Sequence, residues 1–192
     1  MRGKRLTLGL LILGVMLIIG SVGYYAWMRY SVKENAADAK KTVDKMYTLM
    51  PELTNGVPDE RSNTTMSSLE IDGDSFVGII EVPVYESKLP IYASWDTDKL
   101  NRFPCRFFGS VYNKTLMIGG SENDGQFDFI TQISLGDSVC ITDTMGVRYT
   151  FQVSSIRRCK DISADKLLSE ESSLIFFAKN SLDFDYVVVY CN

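Results

Sequence analysis

The side chains able to do covalent or acid–base chemistry are few in this sequence, and one kind is missing. The 192 residues include 4 cysteines and 24 aspartates and glutamates but no histidine. A Ser-His-Asp triad, a Cys-His dyad, a histidine-bearing zinc site and an imidazole pH switch are therefore excluded. The thiols of Cys105, Cys140, Cys159 and Cys191 are separated by 35, 19 and 32 residues. No CxxC pair occurs, so neither a zinc knuckle nor a dithiol redox motif is supported. One or two disulfides in any of three pairings stay open, and Cys140 and Cys191, inside apolar runs, read equally well as buried free thiols. Glu122, Asp124 and Asp128 place carboxylates at i, i+2 and i+6 around Gly125. That is a partial calcium-loop spacing without the terminal bidentate glutamate, and a solvated acidic loop is the simpler reading. No cofactor is expected. Asn63-Thr64-Thr65 and Asn113-Lys114-Thr115 match the glycosylation sequon.

These residues need a scaffold, and the hydrophobic pattern supplies one. Residues 6–27 carry no charge. At 1.5 Å per residue such a helix crosses a hydrocarbon core of about 30 Å. The run exceeds a signal-peptide core, lacks a good small-x-small cleavage site and ends on Tyr24, Tyr25 and Trp27, rings suited to a bilayer interface. An uncleaved transmembrane anchor over 6–28 is expected, with 1–5 cytoplasmic. Arg2, Lys4 and Arg5 before the span, against Arg29 and Lys33 after it, favour translocation of everything downstream. Residues 34–192 hold 15 Lys and Arg against 24 Asp and Glu, an acidic balance that argues against a nucleic-acid partner.

Beyond the anchor, Ala36, Ala39, Val43, Met46 and Met50 recur at three- and four-residue steps, which predicts a helical stalk within 29–50. Residues 51–74 are rich in Pro, Gly, Ser, Asn and Thr and read as a linker. From residue 75 the texture changes to short strands. These are expected over 76–82, 89–93, 115–119, 137–142, 148–154, 174–177 and 186–191, with a helical turn at 96–100 and a helical connection at 161–169 capped by Ser163. Seven or eight strands in 118 residues predict a mainly β domain over 75–192, a closed barrel or sandwich with short helices.

The order of these pieces resembles the sortase family, the membrane-anchored cysteine transpeptidases of Gram-positive bacteria. FVGIIEVPVYESKLPIY looks like the sortase entry strands. TLMIGGSENDGQFDFITQISLGDSVCITDTMGVRYTFQV is similar to the family core, and SLIFFAKNSLDFDYVVVYC to its last two strands. The resemblance covers residues 75–192, with spacing like that of classes B and D, and implies a seven- to eight-stranded sortase-like β-barrel. It also implies three catalytic side chains: a cysteine nucleophile, a histidine that protonates the leaving amine and an arginine that stabilises the oxyanion. The histidine follows the apolar strand that here reads Ile118-Gly119-Gly120-Ser121, so its position is Ser121. The cysteine closes the strand Leu174-Ile175-Phe176-Phe177-Ala178, so its position is Ala178. The arginine opens the final strand, at Tyr186, or at Asp185 if the register slips by one. Setting Cys191 on the nucleophile instead would delete the final strand and open a buried edge.

All three positions are thus replaced. Lys114 and Lys179 are the lysines that could serve Ser121 as a base, although a Ser-Lys dyad needs a desolvated lysine. The expectation is a catalytically inactive sortase-like protein at the cell surface, acting as a binding or accessory scaffold. The partners this implies are a surface or pilin-like protein, or an active sortase. The alternatives are an active transpeptidase with a divergent site and a tethered structural domain with no groove function.

Overall fold

The computed structural model describes residues 2–58, 65–123, 125–168, 172–179 and 185–192. The chain divides into two compact units, Met1–Glu34 and Asn35–Asn192. The first belongs to α1 (Arg2–Leu49), which contains an 18-residue window of mean hydropathy 2.0 with none of it buried. Among the described residues this is the one helix long and apolar enough to cross a membrane.

The second unit is a closed barrel of eight strands. In chain order the strands are β1 (Thr54–Asn55), β2 (Leu69–Ile71), β3 (Asp74–Val82), β4 (Ser87–Tyr92), β5 (Cys105–Phe108), β6 (Leu116–Ser121), β7 (Ser138–Asp143), β8 (Val147–Cys159), β9 (Leu174–Lys179) and β10 (Tyr186–Cys191). Around the barrel the neighbours run β8, β10, β9, β6, β5, β4, β3 and β7, and β7 pairs back onto β8. β1 and β2 add short edges to β8 and β3, both inside the stretch read as a linker. β5 has no counterpart among the predicted strands. Its four residues lie between Pro104 and Gly109, too short a run for alternation to reveal.

Alternation explains the strands. In β8, Tyr149, Phe151 and Val153 are buried while Thr150, Gln152 and Ser154 are exposed. β10 is apolar on both faces because it is covered on both. Val187, Val189 and Cys191 join the main core, whereas Val188 and Tyr190 join a second cluster outside the barrel, under α2 (Ala164–Leu168). Ser163 caps α2 by accepting the Lys166 N–H at 3.4 Å. The β7–β8 turn is held by Asp143, which is 1% exposed. Its Oδ1 accepts the N–H groups of Met145 and Val147 at 2.9 Å each, and its Oδ2 accepts the Tyr112 hydroxyl at 2.9 Å.

Residues 35–49 continue α1 along this unit, and the apolar stripe read from the sequence is the face they bury. Ala39, Val43 and Met46, with Met50 just beyond, are 0–8% exposed and belong to the main core cluster. Polar ties reinforce the contact. Asn35 Nδ2 donates to the Asn101 carbonyl at 3.1 Å, Arg102 pairs with Asp38 at 3.5 Å, and Lys45 pairs with Asp72 at 2.5 Å. Under Tyr47 sits a buried carboxylate, Glu81, whose side chain is 4% exposed. It accepts the Tyr47 hydroxyl, both terminal nitrogens of Arg148 at 3.3 and 3.0 Å, and faces Lys88 at 3.4 Å. Burial alone would raise the Glu81 pKa, but the Tyr47 hydrogen bond and the two cations outweigh it and hold the carboxyl below its ordinary range.

Candidate functional site

The three positions singled out from the sequence lie on adjacent strands. β6 and β9 run parallel and β10 runs antiparallel to β9, so the far ends of the first two meet the start of the third. Across this end the register places Ser121 beside Lys179, Lys179 beside Tyr186, and Tyr186 beside Cys159. One step back, Gly119 faces Phe177, and Phe177 faces Val188.

Alternation decides which side chains share a face. Ser121 has the parity of Gly119, and Lys179 that of Phe177, so both point outward with Tyr186 and Cys159, which pack against the outer cluster. Ala178 has the opposite parity. It is 1% exposed, belongs to the inner core, and lies between Gly120 and Val187. The structure therefore brings Ser121 and Tyr186 to one surface and turns Ala178 away from both. The outward residues on either side of Ala178 are Phe177 and Lys179.

The surface itself is packed with rings. Phe177 meets Phe107 edge-on at 5.4 Å, Trp95 at 6.1 Å and Tyr186 at 6.1 Å, and Trp95 meets Phe107 edge-on at 5.0 Å. Met117, Ile175, Val188 and Tyr190 lie in the same cluster, with Leu167 of α2. The Gly119-Gly120 pair makes the packing possible. A Cβ on Gly119 would strike Trp95 and come within 2.8 Å of Phe177, while one on Gly120 would lie 2.5 Å from the Phe127 ring inside. Two glycines on successive positions thus seat rings on opposite faces of one strand. The sequence signal was that pair, but Trp95 and Phe107 arrive from a separate loop and strand and carried no local cue.

Ser121 is occupied in a local turn. Its hydroxyl accepts the Asn123 N–H at 3.3 Å, and its own N–H donates to Gln126 Oε1 at 3.1 Å. Gln126, 4% exposed, also donates to the Leu100 carbonyl at 3.0 Å and so ties the loop to the neighbouring segment. Of the two lysines considered as bases, Lys179 lies beside Ser121 on an exposed strand end, whereas Lys114 precedes the opposite end of β6.

All four cysteines are free thiols. Burial pushes Cys105 up to about 11 and raises Cys191 further. Burial also raises Cys159, against Lys166 and Arg157, which pull the other way. A nucleophilic thiol needs the opposite shift. Of the acidic trio, Asp124 lies outside the described residues, and Asp128 accepts the Gly125 N–H at 3.2 Å. Among the described residues no group of three or more acidic, cysteine or histidine side chains is placed to hold a metal.

No protein-family model and no curated relative matches this sequence. Solved structures do. Sortase C1 from Streptococcus agalactiae superposes with a TM-score of 0.53 at 18% identity, covering 66% of this chain and 72% of that one. Sortase A from Corynebacterium diphtheriae gives 0.53 at 15% identity over 84% and 83% of the two chains. Sortase C from Clostridium perfringens gives 0.50 at 18% identity over 82% and 88%. With an eight-stranded barrel, this strand order and these neighbours, the chain has the sortase fold.

Proposed function

We propose that this chain is a membrane-anchored, extracytoplasmic sortase-fold protein that does not catalyse transpeptidation and serves as a binding or accessory scaffold in cell-surface protein assembly. The supporting observation is the state of the shared strand ends. At the positions where the resemblance implies an imidazole, a thiol and a guanidinium stand Ser121, Ala178 and Tyr186, and the adjoining outer surface is filled by Phe177, Phe107 and Trp95. Among the described residues, such a surface presents aromatic rings where the resemblance implies an activated thiol. A single missing catalytic group already costs orders of magnitude, so joint loss of all three carries little further penalty for a protein retained to bind.

A second reading rests on the row Ser121, Lys179, Tyr186 and Cys159, which places a hydroxyl, an amine, a phenol and a thiol on one face. It would make the protein a transpeptidase with relocated groups. The purified full-length protein, incubated with a fluorogenic sorting-signal peptide and an amine acceptor, separates the two. The scaffold reading expects no release or transfer above the buffer rate. Turnover abolished by Ser121→Ala or Cys159→Ser would overturn it in favour of the second.

A further inference from the structure

Residues 35–50 reach the barrel through side chains alone, whereas each barrel strand is held by backbone ladders to two neighbours. The outer ties of this helical segment are exposed: in the Lys45–Asp72 pair the side chains are 50% and 73% accessible. Pairs of that kind contribute little in water. The inner tie is different. Glu81 is buried, is held within the barrel by Arg148, and accepts the Tyr47 hydroxyl, which among the described residues is the buried polar contact joining the segment to the β3–β7–β8 face. Directly opposite Glu81 in the register lies Cys140, 4% exposed, beside Arg148 and 3.7 Å from Thr150 Oγ1.

We propose that residues 35–50 form a strap that opens as its own cooperative unit while the barrel stays closed, with the Glu81 carboxylate as its clasp and Cys140 as the group it uncovers. Opening the strap breaks the buried hydrogen bond from Tyr47 to Glu81 and re-exposes a single helical stripe, while the Arg148 and Lys88 pairs of Glu81 stay within the barrel. Opening the barrel breaks the ladders as well, so the two events have different free energies. Freeing the strap would leave the outer face of β3 and β7 available without unfolding the domain. This holds whether or not the strand-end site is catalytic.

The chain carries its own reporters. Cys140 is buried beside Tyr47 of the strap, Cys191 lies in the barrel core at 0% exposure, and Cys159 is half-buried away from the strap on the outer cluster. The full-length protein in detergent micelles is pulsed with dithiodipyridine, and each thiol is followed by mass spectrometry. Cys159 is expected to label first, Cys140 next and Cys191 last. Tyr47→Phe is expected to accelerate Cys140 by about 10-fold, the loss of the hydrogen bond that joins the strap to Glu81, and to leave Cys191 unchanged; Glu81→Gln, which keeps an acceptor for that hydroxyl but loses its charge, is expected to accelerate Cys140 by no more than that. A common rate for Cys140 and Cys191 in the wild type, or a Cys140 rate unmoved by Tyr47→Phe, would overturn the proposal. Should Glu81→Gln fail to fold, seen as Cys191 labelling as fast as Cys159, the Tyr47→Phe result decides.

Discussion

Truncating Phe177 to alanine tests whether the strand-end surface is a packed layer or an open groove. The ring is 2% exposed and touches Trp95, Phe107 and Tyr186. Removing a phenylalanine from such a setting costs about 3–5 kcal/mol, the transfer free energy plus the cavity left behind. For a domain of this size each kcal/mol lowers the melting temperature by about 2–4 °C, so a fall of roughly 6–20 °C is expected. Trp95, 41% exposed, should cost about half as much on truncation. The double variant should fall short of additivity by about 0.5–1.5 kcal/mol, the share belonging to the ring pair. Urea unfolding followed by circular dichroism serves all three variants, because truncating Trp95 leaves Trp27 as the only tryptophan. In a Trp27→Phe background Trp95 reports alone, and Phe177→Ala should shift its emission to the red. Near-neutral single variants, below about 1 kcal/mol and strictly additive, would mean a loose and hydrated surface and would refute the filled-groove argument.

Other outcomes follow from the same geometry. Ala178→Cys should give no transpeptidation, because the thiol would point into the core; its labelling should be as slow as that of Cys191, and turnover with a sorting-signal peptide would contradict this. Gly119→Ala should destabilise by about 1–3 kcal/mol and displace Trp95, since its Cβ has no space against two rings; an unchanged melting temperature would show that the rings are mobile. Glu81 has a folded-state pKa below its ordinary value of 4.5, in the company of Tyr47 from α1, Lys88 from β4, Cys140 from β7 and Arg148 from β8. Its contribution is therefore complete above the ordinary value and lost as pH falls through the folded one. Melting temperatures should hold steady from pH 7 down to about 5 and drop below 4.5, a drop that Glu81→Gln should largely remove. Asp143→Ala should cost about 2–4 kcal/mol by orphaning the Tyr112 hydroxyl and two turn N–H groups, measured by thermal melts.

The sequence made the strands of one-face burial readable. β8 announced itself by alternation and β10 by an unbroken apolar run. The helical stripe at Ala39, Val43 and Met46 was equally plain, but a stripe states that a face is buried, not against what. β5 escaped because four residues between Pro104 and Gly109 carry less than one full alternation pattern. At the site, the strand ends were legible and the direction of the side chains was not. A strand has period two, so moving from Ala178 to Phe177 reverses the face, and only the pairing with Gly119 fixes which residue looks outward. Trp95 was illegible because its partners are Phe107 of the unrecognised β5 and Phe177 of β9, the latter far away along the chain.

The position of β10 has a kinetic consequence. This strand is last in sequence order, yet it sits between β8 and β9 in the sheet. Until residues 186–191 are in place, β8 and β9 each present an unpaired backbone edge, and the parallel β6–β9 pairing must already have bridged a long stretch of chain. Barrel closure is then a late, non-local event. While that strand is unplaced, capping of either edge by a chaperone or by a second strand competes with folding.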